Sequence, residues 1–80
     1  MKYADLDMGE GIDSRRKAIE KNNNNFALIR ENGPYSIYYS GIIKIDKTNK
    51  NSFYLIAKED HKVRRVFHYN SLEKVIVRID

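Results

Sequence analysis

Apolar residues along the chain fall in short alternating runs rather than in a helical period, and the densest of these lies in the second half. Residues 53–57 (FYLIA) are aromatic and branched, the side chains that suit a pleated, half-buried surface. The charged stretch KEDHK at 58–62 reads as a hairpin tip, and residues 63–69 (VRRVFHY) return from it. Because strand side chains alternate, Val63, Arg65 and Phe67 share one face and Arg64, Val66 and His68 the other. Neither face is purely apolar. Upstream, residues 26–30 (FALIR) form a candidate first strand, ended by Glu31-Asn32-Gly33-Pro34. Asn-Gly is a hairpin turn signal, and Pro34 cannot donate to a central ladder. Residues 35–46 (YSIYYSGIIKID) carry the longest strand signal, with Gly41 in the middle, where a missing side chain permits a sharp bend. A polar turn (KTNKNS, 47–52) precedes the hairpin, and a tight turn at 70–72 follows it. Residues 73–79 (EKVIVRI) then place Val75, Val77 and Ile79 on one face.

Helical signal is confined to the N-terminal quarter. Residues 1–12 hold two glycines and scattered acids with no sustained period, which predicts a flexible or loosely docked acidic arm anchored by Tyr3, Leu6 and Met8. Asp13 or Ser14 can cap a helix start, and SRRKAIEK at 14–21 makes about two turns with Ala18 and Ile19 inward. So short a helix must pack on something. The run Asn22-Asn23-Asn24-Asn25 reads as a helix stop and turn, because Asn tolerates the left-handed conformation; an amide cluster for a nucleobase is the functional alternative. One helix and about five short strands predict a mainly β domain over 13–80. The expected form is a closed or nearly closed five-stranded antiparallel barrel preceded by one short helix. An open α+β sheet with the helix across one face is the alternative.

Length and charge sharpen this picture. An 80-residue chain buries only about 60% of its unfolded surface. With no Cys, disulfides cannot supplement that thin core. Homo-oligomerisation through sheet edges is then the expected route to stability. No apolar run approaches the roughly 18 residues of a membrane span, and no signal-peptide core is present. These features predict a soluble, cytoplasmic protein and fit a bacterial or phage accessory protein. Residues 1–13 carry a net charge of −3 and residues 44–68 a net of +4, so an acidic leader precedes a basic body. Such a body attracts phosphates, although a small domain must also place its Lys and Arg somewhere on its surface.

Catalytic motifs are lacking: there is no Cys nucleophile, Gly-rich phosphate loop or HExxH. His61 and His68 lie seven apart across a turn without a carboxylate at metal-ligand spacing. The reading is therefore non-enzymatic, with no cofactor and no metal. Binding chemistry is richer. Tyr35, Tyr38, Tyr39, Tyr54, Phe67 and Tyr69 interleave with Lys44, Arg64, Arg65 and His68, the combination with which small barrels stack bases and hold phosphates. Phe53, Leu55 and Phe67 are core residues on this reading, whereas Tyr38, Tyr54 and Tyr69 each combine an apolar side with a wet tip.

The segment FYLIA followed by RRVFHYNSL resembles the signature of WYL domains, in which a Trp-Tyr-Leu strand leads, one hairpin later, to an Arg-x-Phe segment and an aliphatic residue. Phe53 takes the Trp place, Tyr54 and Leu55 match, Arg65 and Phe67 match the second segment, and Leu72 is the aliphatic residue. His68 and Ser71 stand where the family often has basic residues. The resemblance spans roughly residues 16–79 and is specific over 53–72. It implies an Sm-like or SH3-like small barrel, a regulatory module that senses nucleotides or nucleic acid, although this chain lacks the fused DNA-reading helices. The expected ligand is a nucleotide signal or a short single strand, bound by Arg65, Tyr54, Tyr69, His68, Arg64, Lys44 and Tyr38. Arg65 is the central group. Because an unpaired buried guanidinium is too costly, it needs either a buried carboxylate, as a structural ion-pair partner, or a place at the barrel mouth beside Tyr54 or Tyr69 where it can hold a phosphate. The alternative function is a protein-interaction module or inhibitor that binds a host protein through sheet edges or the acidic arm.

Overall fold

Alternating short strands separated by polar turns fold as the pattern requires, into one antiparallel sheet. The computed structural model describes residues 2–80. In chain order the elements are β1 (Tyr3–Asp5), α1 (Gly11–Glu20), β2 (Phe26–Glu31), β3 (Tyr39–Ile45), β4 (Ser52–Ile56), β5 (Val63–His68), a single 3-10 turn (Tyr69–Ser71) and β6 (Leu72–Arg78). The sheet order is β1-β6-β2-β3-β4-β5. β2 to β5 run as a meander, and β6 returns to lie against β2.

Two expectations are corrected. The strands number six among the described residues, because Tyr3–Asp5 pairs with β6 in the register Tyr3↔Arg78, Ala4↔Val77, Asp5↔Ile76. No period in the sequence marks this strand; it exists because β6 offers an unpaired edge. The sheet is also open, since no hydrogen-bonded pairing joins β5 to β1 or β2 among the described residues. It is nevertheless curled. The molecule measures 31 × 27 × 27 Å, close to equal in all directions, whereas a flat single sheet would have one axis of about 10 Å. Gly41 lets β4 approach closely: a Cβ there would lie 2.4 Å from the Ile56 carbonyl oxygen and 2.9 Å from Leu55 Cγ.

The concave side holds the core. Ala27 and Ile29 of β2, Ile43 of β3, Phe53 and Leu55 of β4, Phe67 of β5 and Val75 and Val77 of β6 point inward. Ile19 of α1 and Tyr69 and Leu72 complete it. The aromatic rings form one cluster, Phe53 stacking on Phe67 at 5.7 Å and on Tyr69 at 5.2 Å between centroids. Ile79, placed by alternation on one face with Val75 and Val77, lies beyond the end of β6 and is exposed.

α1 begins earlier than the capping signals suggest. Glu10 is the N-cap and makes no side-chain cap bond; Asp13 instead sits in the first turn and pairs with Arg16 at 2.5 Å. A carboxylate there still favours the positive end of the helix. Arg15 docks the helix, its Nη1 donating to the carbonyls of Leu72 (2.7 Å) and Tyr69 (3.2 Å). The Asn run does end the helix, with Asn24 left-handed at φ 71°. Residues 32–38 do not make a tight hairpin or extend β3; they form an open loop carrying the exposed Tyr35, Ile37 and Tyr38.

Candidate functional site

The seven residues singled out from sequence do not converge on one site. Arg65 lies on the same side of β5 as the buried Phe67, as alternation requires. Its Nε donates to Glu31 Oε1 at 2.6 Å, and its guanidinium lies 4.5 Å above the Tyr39 ring. The Glu31 carboxylate, foremost among its neighbours, stabilises the guanidinium charge. Neither Tyr54 nor Tyr69 is the ring beside it. Tyr54 donates through its hydroxyl to Asp46 Oδ2 at 3.0 Å, and Tyr69, expected at a wet rim, is only 1% exposed. Its buried place follows from the 3-10 turn, which folds the ring back over Phe53.

Lys44 and Tyr54 do share a row on the convex face, in register with each other and with Val66. Lys44 is engaged with the side-chain oxygen of Asn24. Arg64 pairs loosely with Glu59 at 3.4 Å. His68 is exposed opposite Ser52, and Tyr38 is exposed in the 32–38 loop.

Two grooves remain. The smaller, of about 170 Å³, lies between the 32–38 loop and β5 and is lined by Glu31, Pro34, Tyr35, Ile37, Tyr39 and Arg65. Its one guanidinium is already matched by its one carboxylate, so it carries no spare charge for an anion. The larger, of about 420 Å³, lies between α1 and the β3–β4 turn. Arg16, Lys17, Lys47 and Lys50 surround it against the carboxylates of Glu20 and Asp46, with Asn49 on its wall and Tyr69 beneath.

The architecture explains this gathering. α1 is held over the 3-10 turn by Arg15, which turns Arg16 toward the β3–β4 turn, where its Nη1 donates to the Lys50 carbonyl at 3.1 Å. The turn itself is stiffened by Asp46, whose Oδ1 accepts from the Thr48 hydroxyl (2.6 Å) and backbone N–H (3.0 Å). Those Thr48 bonds, aided by Tyr54, hold the Asp46 carboxyl below the ordinary aspartate range. Burial, and then the Glu20 carboxylate, raise the Tyr69 phenol, which stays a neutral donor at physiological pH. Lys17, Lys47 and Lys50 form no ion pair among the described residues.

The sequence held a signal for this groove: the Arg15-Arg16-Lys17 run and the lysines of KTNKNS are its two most basic flanks outside the hairpin. Their separation by about thirty residues, and the solvated look of each on its own, hid the pairing. No protein-family model, curated protein or solved structure matches the chain. Its function therefore rests on the chemistry of its own surface.

Proposed function

We propose that the protein is a non-enzymatic binding module for a phosphate-bearing ligand, a nucleotide signal or a short single-stranded nucleic acid. The ligand occupies the groove between α1 and the β3–β4 turn, and the module acts by sequestration or sensing. The observation that carries this is the meeting of Arg16, Lys17, Lys47 and Lys50 around one groove of about 420 Å³, a volume in the range of small-ligand sites. Arg supplies a planar fork for phosphate oxygens and Lys a mobile point charge. Asn49 steadies the turn that carries these lysines, its amide donating to Ser52 Oγ and accepting from Asn51 N–H. The WYL-like segment supports a regulatory role of the same kind, and we read the curled meander with its returning β6 as an Sm-like or SH3-like barrel. No exposed ring lines the groove, so recognition runs through phosphate charge before base stacking.

Calorimetry against cyclic and linear nucleotides and short oligonucleotides, at low salt, tests this. Binding should weaken steeply as salt rises, since phosphate contacts release counterions. Lys47→Glu with Lys50→Glu should cost roughly tenfold or more in affinity, about 1.4 kcal/mol or more. Arg64→Ala, remote from the groove, should cost little. An absence of binding across the panel at low salt would sink the proposal.

A further inference from the structure

β5 is one of the two free edges of the sheet, and beyond its register shift the direction of its backbone groups follows from the C-terminal end, where Tyr69 N–H donates to the Asn51 carbonyl. Alternate residues of an antiparallel strand face its neighbour. The N–H and C=O of Val66 and His68 are therefore turned away from β4, with no strand beyond them among the described residues. The register shift in this hairpin lies nearer the tip, at Leu55/Ile56, so the ladder from Tyr54↔Val66 to Ser52↔His68 is regular. Edge strands are commonly blunted by proline, by a central bulge or by cover from a loop. In β5 the extra residue of the register shift is Arg64 and the 32–38 loop stands beside Arg65, but the regular stretch beyond them has no proline, and Val66 is 45% exposed.

We infer that β5 is a docking edge for an extended acidic segment of a partner protein, added as a further strand of the sheet. Charge selects the occupant. Val63–His68 carries Arg64 and Arg65 and no carboxylate, and Lys62 precedes it. Two copies of β5 paired about a two-fold axis would set these arginines close to their counterparts, which like-charge pairing opposes. A segment alternating acidic and apolar residues would instead meet Arg64 with a carboxylate and Val66 with an apolar side chain. Arg64 is available for exchange, because its present bond to Glu59 is long and both side chains are largely in water. Backbone bonds to Val66 and His68 would give affinity, and the charge would fix orientation. This edge shares no residue with the cationic groove, so the two inferences stand or fall separately.

The probe is a nine-residue peptide of alternating Glu and Val, compared with its Lys-for-Glu counterpart by amide chemical-shift mapping on the full chain. The acidic peptide should shift the Val66 and His68 amides, protect them from exchange, and bind at least tenfold more tightly than the basic one. Val66→Pro removes an outward N–H while leaving the β4–β5 bonds, a position where an edge strand tolerates proline. It should abolish binding with circular dichroism unchanged. Should that variant unfold, Arg64→Glu provides the second test and should reverse the preference between the two peptides. Equal binding of both peptides, shifts confined to other elements, or response of these amides to an oligonucleotide instead of the peptide would overturn the inference. So would self-association by light scattering that Val66→Pro removes, since the edge would then belong to a second copy.

Discussion

Arg65 answers to two neighbours at once, a carboxylate at 2.6 Å and an aromatic face at 4.5 Å. A half-exposed ion pair alone is worth about 1 kcal/mol at most, and the ring adds about 0.5–1 kcal/mol. Arg65→Ala should therefore lower unfolding stability by about 1–2 kcal/mol in urea titrations, while nucleotide affinity in the cationic groove stays unchanged. Arg64→Ala, whose partner is distant and solvated, should fall within about 0.5 kcal/mol of the parent. Asp46 makes a second residue-level case. Its carboxyl is held below the ordinary range by Thr48 and Tyr54, so its contribution is fully present above the ordinary aspartate pKa. It is lost as pH falls through the depressed folded value. Acid unfolding should show a component on that limb which Asp46→Asn lacks. Tyr54→Phe, which removes only one of the bonds, should move the Asp46 titration part of the way back.

The four asparagines after α1 work together as an element. Asn22 donates to the Ala18 carbonyl, Asn23 accepts from Ile45 N–H, and Asn25 donates to the Arg78 carbonyl at 2.7 Å. Backbone bonds from Asn24 N–H to the Ile43 carbonyl and from Ile43 N–H to the Asn25 carbonyl continue the β3 pairing past the start of β2. The run therefore pins the helix to β3 and β6. Asn25→Ala should cost about 1–2 kcal/mol by chemical denaturation. Gly41→Ala, forced against the Ile56 carbonyl, should cost about 1–3 kcal/mol or more as overpacking. These elements also show what a sequence declares. β2, β4, β5 and β6 were legible within a residue or two: β2 and β6 by alternation between core and solvent, β4 by its aromatic and branched residues, and β5 by the charged turn before it. β1 was not, since three residues with one exposed aromatic carry no period and the partner strand lies more than seventy residues away. Residues 35–38 read as strand because Tyr and Ile have high strand propensity, yet nothing there pairs with them.

At the scale of the molecule, the difference between expectation and structure is the seam. A barrel closes with backbone bonds; here β5 reaches the far end of the meander through side chains alone, Arg65 to Glu31 of β2 and Phe67 to Tyr39 of β3 at 5.8 Å. Sequence pattern counts strands and assigns their faces. It does not say whether the first and last finally meet, because that depends on curvature summed over every strand. The candidate site was obscured for a related reason: the cations that meet at α1 and the β3–β4 turn are distant in sequence, whereas in the conspicuous Arg64-Arg65 pair Arg65 is taken up by the seam and Arg64 by Glu59. A seam of this kind has a consequence in time. Side-chain contacts release one by one, so the β4–β5 hairpin can breathe outward without the remainder of the sheet coming apart. Amide exchange should then be graded across the sheet, slowest at Ala27, Ile29 and Val75 in the flanked strands and fastest at Val66 and His68. Added salt, by loosening Arg65 from Glu31, should quicken exchange in β5 and leave β2 and β6 as slow as before.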